Sequence, residues 1–434
     1  MALLLNPTTV SWLIDKSEPF SQNTIDAIHT VQLLTILFGF GAFMSAQYAL
    51  PKLSLHIRRA ILTVFTLFIA VSIALLVSEV LVRLLIPQHT LNQLKSLSPA
   101  IYEVGENISW VYKPGTNGNH VTGEFNSSYY INSFGMRDEE RLLKKSPNVT
   151  RILLLGDSFT AGFGVQQNET YAYLLEQMLN QPDRPVEVWN AGIDGYSPDT
   201  EYVLLKDKIE MIKPDIVMLG FYVANDVTDL CKNSWETDPR GLPQRVHSNL
   251  VLVENNQLRF ADNHLNSYKI GVLKYVDIIL MRISHLYILI KKTFFAGGNV
   301  YSEGIYVMID KFPEMRIQLE RTKHLLTELA NLSTQHNATF HLIIIPERSQ
   351  VNEEEWNIVR QKFARYSPDR DRPQKELVQW CNENNITCID LFPALRASTE
   401  QTYYLITDSH FTTAGHRVAA ETIAKTLRER HGGQ

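Results

Sequence analysis

The sequence has few cysteines and no excess of charge of either sign. Three cysteines in 434 residues are too few for a disulfide-rich scaffold, and none lies in a CxxC or Cys/His pattern typical of structural zinc. The 41 basic and 46 acidic residues nearly balance, and no basic block occurs outside one short loop. This balance argues against a nucleic-acid partner. The spacing of Cys381 and Cys388 allows either a local disulfide in an oxidising compartment or two buried thiols.

Two long apolar runs lie near the N-terminus, at residues 31–50 and 60–78, and neither contains Asp, Glu, Lys or Arg. Each is close to the about 20 residues that cross a hydrocarbon core. We therefore predict a membrane anchor over residues 1–90 with two transmembrane helices, at about 31–50 and 60–82. The loop between the runs holds Lys52, Arg58 and Arg59 without an acid, so it should remain cytoplasmic. The rest of the chain should then lie outside the cytoplasm, in the periplasm or at the cell exterior.

Two segments follow the predicted anchor. Residues 91–150 are rich in Gly, Asn and Tyr and predict short strands and loops. From 151 to 434, apolar runs alternate with helical spacing, which predicts a three-layer α/β fold with about five parallel strands buried on both faces. The five runs are 152–157, 186–190, 215–221, 340–346 and 386–391.

Polar residues stand where the predicted strands end, and ligands of such sheets bind beyond the carboxyl ends of the strands. Ser158 follows the first run in GDSFTAG, and Asp408 and His410 precede the last helix in DSHFTTAGH. A serine hydroxyl needs a base within hydrogen-bond reach and a group that orients this base. The sequence therefore predicts Ser158 as nucleophile, His410 as base and Asp408 as the orienting carboxylate.

A tetrahedral intermediate also needs hydrogen-bond donors aimed at its oxyanion. The second run is followed by NAGIDGYS, which offers Gly195 in a tight turn, and the third by FYVAND, which offers Asn225. The backbone N–H groups of Ser158 and Gly195 and the side-chain amide of Asn225 would supply three donors. Acyl transfer of this type requires neither a metal nor a cofactor.

Four ordered motifs, GDSFTAG, NAGIDG, AND and DSH, resemble blocks I, II, III and V of the SGNH (GDSL) hydrolase superfamily. The resemblance covers about residues 150–430 and implies a flavodoxin-like SGNH-hydrolase fold. It assigns the signature positions to Ser158, Gly195, Asn225 and His410, with Asp408 completing the triad. Two features depart from the usual pattern: the glycine of the third block is replaced by Val223, and the last block reads D-x-H rather than D-x-x-H.

Three further features have more than one interpretation. Arg137, in NSFGMRD, is a candidate for holding an anionic or sugar substrate, and a structural salt bridge is the alternative. His416, six residues beyond His410, is interpreted as a surface or packing residue. The connection 229–313 is too long for an ordinary loop, so it is either a lid or an extra subdomain, and its apolar but charge-interrupted segment favours an amphipathic helix over a third span.

Together these patterns favour a membrane-anchored, extracytoplasmic serine esterase that acts on an acyl ester, with an acetylated carbohydrate or lipid as the expected substrate. The same residues also suit an O-acyltransferase, or a partner of one, that modifies an envelope glycan, because both reactions share the acyl-serine intermediate. A catalytically silent binding or scaffold protein is the alternative from another class.

Overall fold

The computed structural model describes the central part of the chain almost continuously. It comprises two compact units, Met1–Lys95 with Tyr268–Gly297 and Ser96–Ser267 with Gly298–Gln434. The described residues are 53–86, 101–122, 124–248, 251–254, 257–260, 284–295, 303–309, 313–397, 403–405 and 409–431, with a few single positions between 29 and 40 and at 276 and 280.

Strands and helices alternate through the larger unit. The strands are β1 (Tyr102–Glu103), β2 (Val111–Tyr112), β3 (Asn117–Val121), β4 (Asn126–Tyr130), β5 (Thr150–Gly156), β6 (Val186–Asn190), β7 (Ile216–Tyr222), β8 (Asn233–Thr237), β9 (Pro243–Ser248), β10 (Val251–Glu254), β11 (Gln257–Phe260), β12 (Thr339–Ile345) and β13 (Thr387–Asp390). The helices, including two in the smaller unit, are α1 (Leu55–Leu85), α2 (Ser158–Ala161), α3 (Tyr171–Leu179), α4 (Pro198–Ile212), α5 (Asp226–Asp229), α6 (His285–Phe295), α7 (Pro313–Gln335), α8 (Arg348–Val351), α9 (Glu353–Lys362), α10 (Arg372–Glu383), α11 (Phe392–Arg396) and α12 (Thr413–His431).

The five predicted strands form one parallel sheet in the order β13-β12-β7-β5-β6. The prediction of about five parallel strands is confirmed, and the observed strand ends differ from the five apolar runs by no more than two residues. All seven residues of β7 are buried, which is what a central strand covered on both faces requires.

Helices cover both faces of the sheet and give it three layers. Successive side chains of a strand point to opposite faces. Leu153 and Leu155 therefore pack in one core with residues of α4, α7 and α10, whereas Ile152 and Leu154 pack in the other with residues of α3 and α12. Because β5 is an interior strand between β7 and β6 and is buried on both faces, the turn that follows it has a rigid base.

The segment before β5 folds as two small antiparallel hairpins, β1 with β2 and β3 with β4. Its aromatic residues Trp110, Tyr112 and Tyr129 are each 1% exposed and join the core that contains α4. This segment is therefore an integral part of the larger unit.

In the smaller unit, α1 contains 31 residues with a mean hydropathy of 2.8 over its most apolar window, and its length and composition suffice for a membrane crossing. It includes the second predicted span, whereas the first, 31–50, lies almost entirely outside the described residues. Near the end of α1, the Glu79 carboxylate accepts hydrogen bonds from the backbone N–H groups of His285 and Leu286 and from the Ser284 hydroxyl. The carboxylate thus caps the N-terminus of α6, and Arg83 holds it from the next turn of α1 at 2.8 Å.

Cys381 and Cys388 are paired in a disulfide with Cα atoms 5.9 Å apart. Of the two interpretations of this pair, the structure therefore has the bridge. It joins the last turn of α10 to β13, next to the edge of the central sheet.

Replacing Gly220 with alanine should destabilise the larger unit. A Cβ at this position of β7 would lie 2.6 Å from the Tyr171 hydroxyl and also overlap the Thr160 hydroxyl, which are hydrogen-bonded to each other at 2.7 Å. We expect Gly220→Ala to lower the free energy of unfolding by about 1–3 kcal/mol in urea denaturation. The cost should be smaller in a Thr160→Ala background, which removes one of the two overlapping atoms; equal costs in both backgrounds would contradict this account.

Candidate active site

The turn after β5 presents the serine. The Asp157 side chain accepts a hydrogen bond from the Phe159 N–H at 2.8 Å and so caps the short helix α2, which begins with Ser158. Gly162 ends α2 with φ +83°, a left-handed conformation that glycine adopts without strain. Ser158 is 8% exposed, so its hydroxyl is largely shielded from bulk water.

The Nε2 atom of His410 lies 2.7 Å from the Ser158 Oγ atom, although 252 positions separate the two residues in the sequence. The Phe159 and Phe163 rings lie at centroid distances of 4.9 and 4.4 Å from the imidazole. The predicted nucleophile and base are therefore in hydrogen-bond contact in a site walled by aromatic rings.

The backbone of the loop that carries His410 is held by hydrogen bonds to Leu405. The Leu405 N–H donates to the His410 carbonyl at 2.7 Å, and the Ser409 N–H donates to the Leu405 carbonyl at 3.2 Å. Arg348, just after β12, also donates to the Leu405 carbonyl at 2.9 Å and is itself held by Glu355 at 2.9 Å. Ser409 takes φ +69°, a left-handed conformation that is strained for a serine. The loop is thus fixed from the neighbouring strand end, a contact that sequence reasoning missed because no local pattern connects Arg348 with this loop.

Asp408, predicted to orient His410, lies outside the described residues. Its role stays a prediction.

Gly195 lies in a turn after β6 with φ +76°, where a side chain would strain the backbone. The preceding residue, Asp194, is held by the early hairpins. Its carboxylate accepts hydrogen bonds from the hydroxyls of Tyr102 and Tyr112 at 2.5 and 3.0 Å, and its carbonyl accepts one from the Trp110 indole at 3.2 Å. Sequence reasoning missed these three supports, for which the only signal was the abundance of tyrosine before β5.

Asn225 follows β7 and stands at the N-terminus of α5, beside the serine turn. Its side-chain amide donates to the Asp157 carboxylate at 3.4 Å, a long contact that still brings the amide next to the residue preceding Ser158. The structure thus brings Asn225 to the turn of Ser158. Its role as an oxyanion donor, like that of Gly195, stays a prediction.

Arg137 does not stand free to bind a substrate, nor does it form the salt bridge that was the alternative. It is 0% exposed, and its guanidinium donates to the carbonyls of Ala161 at 2.9 Å, Gly162 at 2.5 Å and Val165 at 2.7 Å. The carbonyls at the end of a helix carry partial negative charge, which the guanidinium neutralises. The prediction of a substrate-binding Arg137 is therefore corrected: the residue fixes the C-terminal end of α2 and the loop after it.

Buried carboxyl groups surround the serine turn. Burial raises the pKa of Asp157 to about 7, against the opposing effects of the Phe159 N–H and of His410. Burial, followed by repulsion from Asp157, also raises the pKa of Asp226 and of Glu201 well above the ordinary range. The raised pKa values of Asp226 and Glu201 favour the uncharged form of each carboxyl group.

His416 belongs to the core rather than the surface. It is 0% exposed, and its Nδ1 atom accepts a hydrogen bond from the Tyr171 N–H at 3.2 Å. Burial, with the positive charge of Arg137 and the proximity of His410, lowers its pKa to about 3. Of the two interpretations from sequence, surface or packing, the structure supports packing, with the ring fixed between α3 and α12.

One protein family matches the chain: residues 309–434 match the model described as "SGNH hydrolase-like domain, acetyltransferase AlgX". The matched range includes His410 but not Ser158, Gly195 or Asn225. No curated protein matches the sequence.

Several solved structures show a limited similarity to this chain. The psychrotrophic esterase EstA from Pseudoalteromonas sp. is 14% identical, with 65% of this chain and 99% of that chain covered and a TM-score of 0.34. A catalytic mutant of Axe2, an acetylxylan esterase from Geobacillus stearothermophilus, is 15% identical, with 64% and 94% covered and a TM-score of 0.33. TesA is 12% identical, with 64% and 99% covered and a TM-score of 0.34. Similarities of this size do not bear on the substrate of this chain.

The buried His416 should make the free energy of unfolding decrease as the pH falls. The pKa of His416 is about 3 in the folded protein against 6.5 for an ordinary histidine, so between these values the unfolded chain binds a proton that the folded chain does not. The stabilisation is fully present above pH 6.5 and is lost as the pH falls towards 3.

The measurement is urea denaturation of wild type and His416→Leu at several values between pH 7.5 and 5. The free energy of unfolding of the wild type should fall relative to that of the variant as the pH falls, because only the unfolded wild type binds a proton at residue 416. The loss of the hydrogen bond to Tyr171 costs the variant an amount that does not depend on pH. A flat difference for His416→Leu would contradict the lowered pKa of His416.

Proposed function

We propose that this chain, whose residues 309–434 match an SGNH hydrolase-like domain, is a membrane-anchored, extracytoplasmic serine esterase that removes an acetyl group from a carbohydrate or lipid. The observation that carries the proposal is the 2.7 Å contact between the His410 imidazole and the Ser158 hydroxyl at the carboxyl end of the sheet. A serine is a useful nucleophile at neutral pH only with such a base beside it.

In the proposed mechanism, Ser158 Oγ attacks the acyl carbonyl while His410 Nε2 accepts the hydroxyl proton. The developing oxyanion accepts hydrogen bonds from the backbone N–H groups of Ser158 and Gly195 and from the Asn225 amide. The alcohol leaves with the proton from His410, water then attacks the acyl-serine, and His410 again accepts and returns a proton. Asp408 would hold His410 in the required orientation. No step needs a metal or a cofactor.

The protein environment favours this chemistry in two ways. The aromatic rings beside His410 lower the local dielectric, which strengthens hydrogen bonds to a developing charge. Burial raises the pKa of Asp226 and of Glu201, which favours their uncharged forms and so reduces the repulsion that a developing oxyanion would meet.

Two features support the proposed extracytoplasmic topology. One is the apolar helix α1, and the other is the group of basic residues just before and at the start of this helix. Arg58 and Arg59 lie at the N-terminal end of α1, Lys52 precedes the helix in the sequence, and positive loops are retained in the cytoplasm. The chain that follows the C-terminal end of α1 would then emerge on the other side, where envelope glycans and lipids are found.

A second candidate function is transfer of the acyl group to a glycan hydroxyl, which the acetyltransferase description of the matched family favours. The first half of the reaction is unchanged, and a sugar hydroxyl replaces water in the second half. Product analysis with an acetyl ester and a glycan acceptor separates the two: free acetate indicates hydrolysis, and an acetylated glycan indicates transfer.

Replacing Ser158 with alanine should abolish turnover of a small acetyl ester. We expect kcat to fall by at least about 10³-fold, because the acyl-serine can no longer form. The matched control is Ser234→Ala on the exposed strand β8, which should retain wild-type turnover. Retained activity in Ser158→Ala would refute the assignment.

Fluorophosphonate labelling separates an enzyme from a silent scaffold independently of the substrate. The wild type and Ser234→Ala should be labelled, Ser158→Ala should not, and His410→Ala should be labelled much more slowly because the base is gone. Absence of labelling in the folded wild type would favour the scaffold.

A further inference from the structure

A polar cleft lies on the outer face of the hairpin formed by β3 and β4. It has a volume of about 550 Å³ and is closed on the other side by the segment 166–173. The side chains that give it its character are Asn117, Asn119, Tyr130, Gln167, Asn168 and Tyr173. None of them belongs to the serine, the histidine or the predicted oxyanion donors.

The chemistry of this lining suits sugar hydroxyls. A carboxamide offers both donors and acceptors, as a hydroxyl group does, so amides can pair with hydroxyls in either direction. A tyrosine presents an apolar ring and a polar tip, and a pyranose ring likewise has an apolar face and a polar rim. Tyr130 is 42% exposed, so its ring is accessible to a ligand.

The charge of the lining decides which kind of glycan fits. The lining residues of the cleft include no lysine or arginine, and their only charged member is Glu139. A uronic-acid or phosphate-bearing polymer would meet this carboxylate without a compensating cation. The lining therefore selects for a neutral glycan.

The hairpin also connects the cleft to the nucleophile. Its inner face places His120 and Phe125 against Phe163, at ring-centroid distances of 4.6 and 5.1 Å, and Phe163 in turn contacts His410 at 4.4 Å. Gln166 fixes the hairpin by donating to the Asn126 carbonyl at 2.9 Å and accepting from the Ser128 N–H at 3.1 Å. Because three residues of chain span at most about 11 Å, Gln166 lies within that distance of Phe163.

We propose that this cleft binds a stretch of neutral glycan and thereby presents an acetylated unit, or an acceptor hydroxyl, of the same chain to Ser158. This inference rests on the proposed function and names its substrate class. The cleft acts on long substrates only, because its lining residues are distinct from the residues that surround Ser158 and His410.

The test compares Tyr130→Ala and the double variant Asn117→Ala, Asn119→Ala with wild type on two substrates. Turnover of an aryl acetate should stay within about twofold, whereas kcat/KM for acetylated neutral oligosaccharides of six units should fall about tenfold or more, mainly through KM. Tyr130→Phe, which keeps the ring, should retain most of the oligosaccharide activity. The control Gln379→Ala, an exposed amide on α10, should change neither.

Equal loss on both substrates, or no loss on the oligosaccharides, would overturn the proposal.

Binding is measured separately with Ser158→Ala by calorimetry, using neutral xylan, mannan and glucan hexasaccharides and an oligogalacturonate of equal length. Binding of at least one neutral hexasaccharide that is lost in the Tyr130→Ala background supports the cleft, even where the esterase assay fails. Binding of the anionic oligomer alone, or of none, refutes it.

Discussion

The contact between the imidazole of His410 and the hydroxyl of Ser158 is the constraint on which the rest of the candidate site depends. Local structure cannot bring these two residues together, because one follows β5 and the other precedes α12. In a parallel sheet the carboxyl ends of all strands lie at one edge, so the loops that follow the strands come close to one another. The buried apolar runs of the strands thus have a functional consequence: their register determines whether two polar loops meet, and a slip of one residue would turn the strand faces over.

The turn that carries Ser158 is stabilised by polar groups that have no part in the chemistry. Asp157 accepts a hydrogen bond from the N–H of the second residue of α2, and Arg137 donates to the carbonyls of its last residue and of Gly162, so both termini of a helix of only four residues are capped. A helix this short has little stability of its own. The same logic applies to the turn of Gly195, where the hydroxyls of Tyr102 and Tyr112 hold Asp194. The early hairpins therefore belong to the site as much as the sheet does.

The sequence predicted those parts of the structure that are encoded locally. An apolar run such as 215–221 identifies a buried strand by itself, and GDSFTAG identifies a turn with a serine by itself, so β7 and the position of Ser158 after β5 followed directly. The role of Arg137 was predicted wrongly because its partners are backbone carbonyls, which every residue has and which no sequence pattern identifies. The interpretation of His416 was left between surface and packing, because burial in the second core depends on how α12 meets α3 and not on its neighbours in the chain.

In the proposed mechanism, the ratio of hydrolysis to transfer depends on which nucleophile is held close to the acyl-serine and not on the catalytic residues, which are the same for both reactions. Water and a glycan hydroxyl would compete for the carbonyl of the acyl-serine and would use the same base. Water is present at a fixed concentration, whereas a hydroxyl held in position reacts as if its concentration were many orders of magnitude higher. A glycan bound in the hairpin cleft would therefore act as donor if its acetylated unit reaches Ser158 first and as acceptor if a free hydroxyl arrives after acylation. Ser158 is 8% exposed, so water and a glycan hydroxyl would both have to approach the acyl-serine through its small exposed side.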